Sequence, residues 1–326
     1  MFFFFFTPEE QKKIDCSSLS EYIEKIDEIT DSDVIPLFQL KEDRNLTQKD
    51  SKTNFDIYKD SIIENNYKVG HGSGCKKFFY RGHSSLKHVL LPSVFRPDAK
   101  YEEEYYYHSI KVECPEYFQN RSKIQQLLQM QHYGTPTRLL DITRNPLVAL
   151  YFACINHQDE PGAIHIFTVE NEEILNTESD KALMLASLAK FSDADKQLMY
   201  NEVYDKLKNK KIIKYALSNV MKRFEHEIRT ENPSFTANID PLDLLRCYFI
   251  QPEKINPRIV SQDGAFIITG LFGDQDELNK KLNSMVYKTI IITNKKKILK
   301  QLDKLGINEK TMFPEIDKIS NYLKTQ

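Results

Sequence analysis

The alternation of apolar and polar residues predicts strands and helices that follow one another through most of the chain. KKFFYRG (76–82) alternates between two faces and ends at a glycine, as a short strand does. Similar strand patterns recur at 163–169, 243–250, 265–272 and 285–293, and helical patterns at 101–113, 122–133, 147–157, 180–229, 295–305 and 314–323. Strands before and after a helical block predict one α+β domain rather than two independent halves.

The same pattern divides the chain into a lead-in and a domain. We expect residues 1–60 to form an N-terminal, helix-containing lead-in with a charged loop at 41–56, and residues 61–326 to form the domain. A Lys-rich helical insertion should occupy about 175–235. Phe2 to Phe6 are expected either to pack into the core as a terminal strand or to bind a partner.

Composition narrows the class of protein. The 326 residues carry 45 Lys+Arg and 47 Asp+Glu, a formal net charge of −2, which excludes a protein dedicated to coating polyanions. No apolar run approaches the roughly 20 residues that a membrane helix needs. The five cysteines are scattered and never form a CxxC pair, which favours a reducing compartment. We therefore expect a cytoplasmic protein with no membrane partner.

Two segments contain more polar side chains than a buried core usually does. The first is Tyr80-Arg81-Gly82-His83, where an arginine at the end of a buried strand requires either a carboxylate or a bound anion. Asp141 is the obvious carboxylate. Gly82 would let the backbone turn sharply or approach a ligand closely.

The second segment, QHYGTPTRLLDITRNP (131–146), places seven polar side chains between apolar stretches. In an extended chain one face would carry Thr137, Leu139, Asp141 and Thr143, and the other Arg138, Leu140 and Ile142. Asn145-Pro146 then predicts the cap and first turn of a buried helix, beside which an anion could bind. Alternatively, Asp141 and Thr143 cap that helix, and His132 complements the dipole of the preceding one.

A third segment, RIVSQDGAF (258–266), places Gln262 and Gly264 at the entrance of a strand, where they could contribute to a site or form an ordinary turn. Metal-ligand spacings such as HExxH and the GxSxG element of serine hydrolases are missing from the sequence.

Five stretches together resemble the FRG domain, a family named for a Phe/Tyr-Arg-Gly motif. They are FFYRGHSS, LLPSVFR, LLQMQHYGTPTRLLDITRNPLVALYFA, PRIVSQDGAFIITG and LDKLGINEKTMFPEID, which extend the resemblance over roughly residues 60–326. The family usually carries an aromatic residue after the aspartate of the LLD step, where this chain has Ile142. The family is largely uncharacterised, so the resemblance indicates a domain rather than a reaction.

The order of these motifs is also similar to that of mono-ADP-ribosyltransferases, which bind NAD in a cleft between two small sheets. This similarity implies small mixed or antiparallel sheets that form such a cleft, with NAD as substrate. It matches Arg81 to the NAD-binding arginine, Thr143 to the Ser/Thr patch and Gln262 to the glutamate position. Because Gln262 is not a carboxylate, either another carboxylate stabilises the positive ribose, Asp141 before Glu104, or the chain binds its ligand without turnover. We expect catalytic roles for Arg81, Asp141 and Gln262, and cofactor contacts from Tyr80, Gly82, His132, Thr137, Arg138 and Thr143.

Three functional hypotheses follow. The chain could be an NAD-consuming transferase of the toxin or phage-defence type that modifies a protein or nucleic-acid acceptor, with a possible cognate partner protein. It could instead be a non-catalytic module that binds a nucleotide or a partner. Third, the Lys-rich insertion could contact nucleic acid, although acidic residues interrupt the basic run; its basic residues are Lys206, Lys208, Lys210, Lys211, Lys214, Lys222 and Arg223.

Overall fold

The computed structural model describes residues 14–31, 76–208, 218–235, 240–254, 256–316, 319–320 and 324. The expectations for Phe2 to Phe6, for the loop at 41–56 and for Lys210, Lys211 and Lys214 lie outside the described residues. Within the described part, no helix combines the length and the apolar character needed to cross a membrane.

The strands form one eight-stranded mixed sheet in the order β1-β8-β4-β2-β3-β7-β6-β5. The outermost pairs, β1 with β8 and β5 with β6, are parallel, and the other pairs are antiparallel. Their bounds are β1 (Ile14–Cys16), β2 (Lys76–His83), β3 (Leu139–Thr143), β4 (Gly162–Glu170), β5 (Leu175–Asn176), β6 (Cys247–Gln251), β7 (Gly264–Thr269) and β8 (Val286–Ile292). The predicted α+β class is confirmed.

The sheet is nearly divided between β2 and β3. Tyr80–Thr143 is the one residue pair that joins these two strands, whereas β2 pairs with β4 over all eight of its residues. The sheet therefore consists of two four-stranded halves, β1-β8-β4-β2 and β3-β7-β6-β5, that diverge from one shared residue pair. The motif order predicted small separate sheets, but the strands form two halves of one sheet.

Helices cover both halves of the sheet. Their bounds are α1 (Leu19–Asp31), α2 (Glu103–Glu113), α3 (Lys123–His132), α4 (Pro146–Cys154), α5 (Asp180–Ser187), α6 (Asp193–Lys208), α7 (Asn219–Arg229), α8 (Pro257–Ser261), α9 (Gln275–Ser284), α10 (Lys295–Lys304) and α11 (Glu309–Met312). Helices α5 to α7 lie between β5 and β6, in the region predicted as an insertion.

Two groups of helices pack on the same face of the sheet. The first, including α2, α3 and α5 to α7, buries Leu139 of β3 and Ile268 of β7. The second, including α1, α4 and α10, buries Ile164 of β4 and Ile290 of β8. The opposite face carries a third core that includes Phe79 and spans both halves. The boundary between the two helical groups lies over the division between β2 and β3.

Capping residues and glycines predicted where several helices begin or end. Asn145 caps α4 by accepting a hydrogen bond from the Leu147 amide, with Pro146 at the first helical position. Gly134 and Gly306 have φ of +80° and +76° after α3 and α10. The strand predicted from 243 begins instead at Cys247, because Pro241–Leu245 form a 3₁₀ helix.

Candidate functional site

A half-open cavity of about 220 Å³ lies where the sheet divides, beneath the boundary of the two helical groups. Arg81, Asp141, Gln262, Tyr80, Gly82, His132 and Thr143 all line it, so seven of the nine predicted site residues share one cavity. The structure adds Gln131, Arg258 and several apolar side chains, including Leu128, Val148, Phe152 and Phe266. This mixture of a few polar groups in an apolar wall is typical of small-molecule sites.

Arg81 bridges the two halves of the sheet. Its Nη1 donates to the Asp141 backbone oxygen over 2.5 Å, and its Nε donates to Nε2 of His83 over 3.0 Å. The side chain is 13% exposed. Burial lowers the pKa of Arg81 to about 10, although Asp141 acts in the opposite direction. The guanidinium therefore stays charged at neutral pH.

Asp141 offers its carboxylate to the open side of the cavity. The side chain is 58% exposed, and its Oδ2 lies 3.9 Å from Arg81 Nη1, so the two do not form the buried ion pair that the sequence analysis considered. Gln131 Nε2 donates to the same oxygen over 2.8 Å. Thr137 does not line the cavity, but its hydroxyl donates to Gln131 Oε1. Thr137 thus acts through Gln131 to orient Asp141.

Thr143 and Gln262 tie the walls of the cavity together. The Thr143 hydroxyl donates to the Gln262 backbone oxygen over 2.6 Å and accepts from the Asn145 amide over 3.0 Å. The Gln262 side-chain amide donates to the Met312 backbone oxygen over 2.9 Å. Thr143 therefore accepts from the amide of Asn145, the residue that caps α4, rather than from an amide of the helix itself, and the Gln262 side-chain nitrogen is hydrogen-bonded within the protein.

Gly82 is required by helix packing. A Cβ at this position would lie 2.0 Å from the Ala149 backbone oxygen and 2.7 Å from the Ala153 nitrogen, both in α4. The close approach that glycine permits is therefore to a helix, and the chain continues as a strand without a sharp turn. Tyr80 is buried beside it, and burial raises the pKa of its hydroxyl to about 12.

Arg138 lies outside the cavity, contrary to its predicted cofactor contact. Its Nε donates to both Glu103 carboxylate oxygens, over 2.9 and 3.1 Å, and its Nη1 donates to the Thr269 backbone oxygen. Arg138 and Glu103 are both fully buried, and Lys196 Nζ lies 3.1 Å from the same carboxylate. Because this guanidinium is fully buried and hydrogen-bonded to Glu103 and Thr269, we assign Arg138 to the core.

His132 forms part of the cavity wall at the last residue of α3. Burial and, to a lesser extent, Arg258 lower the pKa of this histidine, so it is neutral at pH 7 and does not supply the positive charge considered for the helix end. Its Nδ1 lies 4.0 Å from Glu315 Oε1, and neither Nδ1 nor Glu315 Oε2 has a hydrogen-bond partner among the described residues.

Comparison with known families identifies the segment that supplies this site. A family model for the FRG domain matches residues 76–161. The chain contains an FRG domain. The matched segment is shorter than the sequence resemblance suggested, and it contributes β2, β3, α3 and α4 to the cavity wall. No curated protein and no solved structure matches the chain.

Arg258 brings a second guanidinium to the FRG-domain cavity from outside the matched segment. Its Nη1 donates to the His132 backbone oxygen over 3.2 Å, and its guanidinium lies 4.8 Å from the centre of the Phe313 ring. From the sequence, this stretch could be either part of a site or an ordinary turn, and no helix was predicted there, because the five-residue helix α8 has too few residues for a periodic pattern. Among the described residues, two cations and one carboxylate thus line the cavity.

Proposed function

We propose that the FRG-domain cavity binds NAD and that the protein cleaves its nicotinamide–ribose bond, passing ADP-ribose to water or to a macromolecular acceptor. One observation carries the proposal: Arg81 and Arg258 line the same half-open cavity as the exposed Asp141 carboxylate. The similarity of the motif order to that of mono-ADP-ribosyltransferases supports the choice of ligand.

Charge supports the binding of a phosphorylated ligand. Two guanidiniums against one carboxylate leave the cavity wall with an excess positive charge, and guanidinium forks match phosphate oxygens. Small-molecule pockets usually enclose about 300–1,000 Å³, more than the 220 Å³ here. We therefore propose that the nicotinamide riboside end enters the cavity and that the rest of NAD extends through its open side.

Asp141 is the group proposed to assist bond cleavage. When the bond between ribose C1′ and the nicotinamide nitrogen breaks, its electron pair leaves with nicotinamide and C1′ becomes positive. The Asp141 carboxylate would stabilise that charge across the cavity. Water or an acceptor hydroxyl or amine then forms the new bond to C1′ and gives its proton to Asp141, which releases it to solvent.

The experiment incubates the full-length chain with NAD and measures nicotinamide release by chromatography and NAD binding by calorimetry. Arg81→Gln should weaken NAD binding at least tenfold, and Asp141→Asn should slow nicotinamide release at least tenfold while binding persists. Two exposed, ion-paired residues away from the cavity provide matched controls, Arg229→Gln and Asp159→Asn. A folded wild-type protein that neither binds nor consumes NAD would refute the proposal.

Gln262 favours one alternative, a module that binds a nucleotide without turnover. Its amide stands where the similarity to transferases places a glutamate, and its nitrogen is engaged by Met312. A module of this kind would bind NAD or a related nucleotide in a thermal-shift panel. It would release no nicotinamide and label no protein or nucleic acid in a cell extract.

An effector role of the toxin or phage-defence type would follow from NAD consumption. Such a role places the protein in the cytoplasm, where it would meet the NAD pool, and requires control by a cognate partner or signal. Expression of the wild-type chain in bacteria should lower cellular NAD and arrest growth, and Asp141→Asn should do neither. Growth arrest that persists with Asp141→Asn would point to another mechanism.

A further inference from the structure

We propose that His83 is the positioning residue for Arg81: a neutral imidazole that fixes the guanidinium in orientation without cancelling its charge. The inference rests on the proposed function in so far as it takes the ligand of Arg81 to be a phosphate anion. His83 does not line the cavity and follows Arg81 by two residues on β2.

The geometry forms a continuous chain of hydrogen bonds behind Arg81. Arg81 Nε donates to His83 Nε2 over 3.0 Å. His83 Nδ1 lies 3.3 Å from His165 Nε2, and His165 Nδ1 lies 3.2 Å from the Thr289 hydroxyl. These hydrogen bonds therefore run from β2 through β4 to β8, within the half of the sheet that Arg81 bridges to β3.

One arrangement of protons satisfies every contact in this chain. Arg81 Nε always carries a hydrogen, so His83 Nε2 must be the acceptor and His83 Nδ1 the donor to His165. His165 Nδ1 then donates to Thr289. Burial, followed by the charge of Arg81, lowers the pKa of His83 well below its usual range and that of His165 to about 4. Both rings are neutral at physiological pH.

A neutral hydrogen-bond partner such as His83 leaves the positive charge of Arg81 uncompensated, whereas a carboxylate would neutralise it. Buried guanidiniums usually meet carboxylates, as Arg138 meets Glu103 in this protein, and the two charges then cancel. His83 is 4% exposed and accepts the same kind of hydrogen bond with no negative charge. Asp141 is a looser ionic partner, because its Oδ2 lies 3.9 Å from Nη1 and its side chain is 58% exposed, so that solvent screens the pair. The positive charge of Arg81 consequently remains available to an anion.

Two substitutions that have nearly the same shape as each other test separately how His83 orients Arg81 and how the lack of charge on His83 affects binding. His83→Gln keeps a neutral acceptor for Arg81 Nε, and His83→Glu keeps the acceptor but adds a negative charge. We expect the glutamine variant to bind NAD and inorganic pyrophosphate within about threefold of wild type, and the glutamate variant to bind both at least tenfold more weakly. His83→Phe, which removes the acceptor, should also lose at least tenfold. His226→Gln is the control, because His226 is an exposed ring on α7 that does not line the cavity.

The results distinguish failure of this inference from failure of the proposed function. If wild type binds pyrophosphate and Arg81→Gln does not, equal affinities of His83→Gln and His83→Glu overturn the positioning role.

If wild type binds neither NAD nor pyrophosphate, the proposed function fails, and the positioning role of His83 is tested without ligand. Nitrogen-15 NMR of the histidine rings at pH 6 should then show His83 neutral and protonated at Nδ1. A charged ring or an Nε2–H tautomer would overturn it, and thermal melting of each variant verifies folding.

Discussion

Replacing Glu103 by glutamine should strongly destabilise the protein without altering the cavity. Glu103 is 1% exposed and accepts hydrogen bonds from Arg138, while Lys196 Nζ lies 3.1 Å away. Glutamine fills almost the same volume but carries no charge. Two largely buried cations would then lack the carboxylate that both of them contact.

The size of this loss in stability follows from the buried ion pair and from the pKa of Glu103. Removing one partner of a buried ion pair costs about 3–5 kcal/mol. Burial alone would raise the pKa of Glu103, but Arg138 and then Lys196 outweigh burial and lower it from 4.5 to about 2. A carboxyl with that shift contributes roughly 3 kcal/mol at neutral pH, since each pH unit corresponds to about 1.4 kcal/mol. We therefore expect a loss of about 4 kcal/mol.

Urea denaturation at pH 7 measures the loss directly, and thermal melting should show a fall of about 8 °C, at about 2 °C per kcal/mol for a large chain. The pH dependence has a defined sign. Because the folded-state pKa is lowered, the contribution of Glu103 is complete above the unfolded pKa near 4.5 and disappears as pH falls toward 2. Wild type and Glu103→Gln should therefore converge in stability with falling pH.

Glu113→Gln on the same helix is the matched control, because Glu113 is exposed. It should change the free energy of unfolding by less than about 0.5 kcal/mol. A loss below 1 kcal/mol for Glu103→Gln would show that Arg138 and Lys196 do not depend on this carboxylate. The reasoning that assigns Arg138 to the core would then be wrong.

Three further substitutions test how the cavity is built. Gly82→Ala should cost about 3 kcal/mol or more in urea denaturation, because its Cβ would meet the Ala149 oxygen at 2.0 Å; a near-neutral result would contradict this packing. Asn145→Ala should cost about 1 kcal/mol by removing the cap of α4, and an unchanged melting temperature would contradict the capping role. Gln262→Glu should cost about 1–3 kcal/mol at pH 7, because a carboxylate would replace the amide that donates to Met312 over 2.9 Å. That loss should shrink near pH 4, where the protonated carboxyl can donate again; a loss independent of pH would argue against this explanation.

The local elements followed from sequence because their causes lie within a few residues. The apolar alternation around Phe79 predicts a strand, and Asn145-Pro146 predicts the start of a helix. Elements whose pattern is short or weak were missed: β1 has three residues, and α8 has five. Neither element is long enough to show a periodic pattern of apolar residues.

The sequence predicted site residues correctly where two polar motifs both contribute to the cavity. It failed where the position of a side chain depends on a hydrogen-bond partner far away in the sequence. The Arg81 and Asp141 segments were both rich in polar groups, and the fold brings them to one cavity. Arg138 has the same residue type as Arg81, yet Glu103, 35 positions away, binds it in the core. Arg258 reaches the cavity from the opposite end of the domain.

The sequence by itself thus determined the α+β class, the FRG motifs and most strand and helix positions, because these depend on periodicity and on neighbouring residues. Only the tertiary structure decided which arginine faces the cavity and which one is buried. The reason is physical: a guanidinium takes its role from the acceptors within about 3 Å, and strand order brings those acceptors from far along the chain.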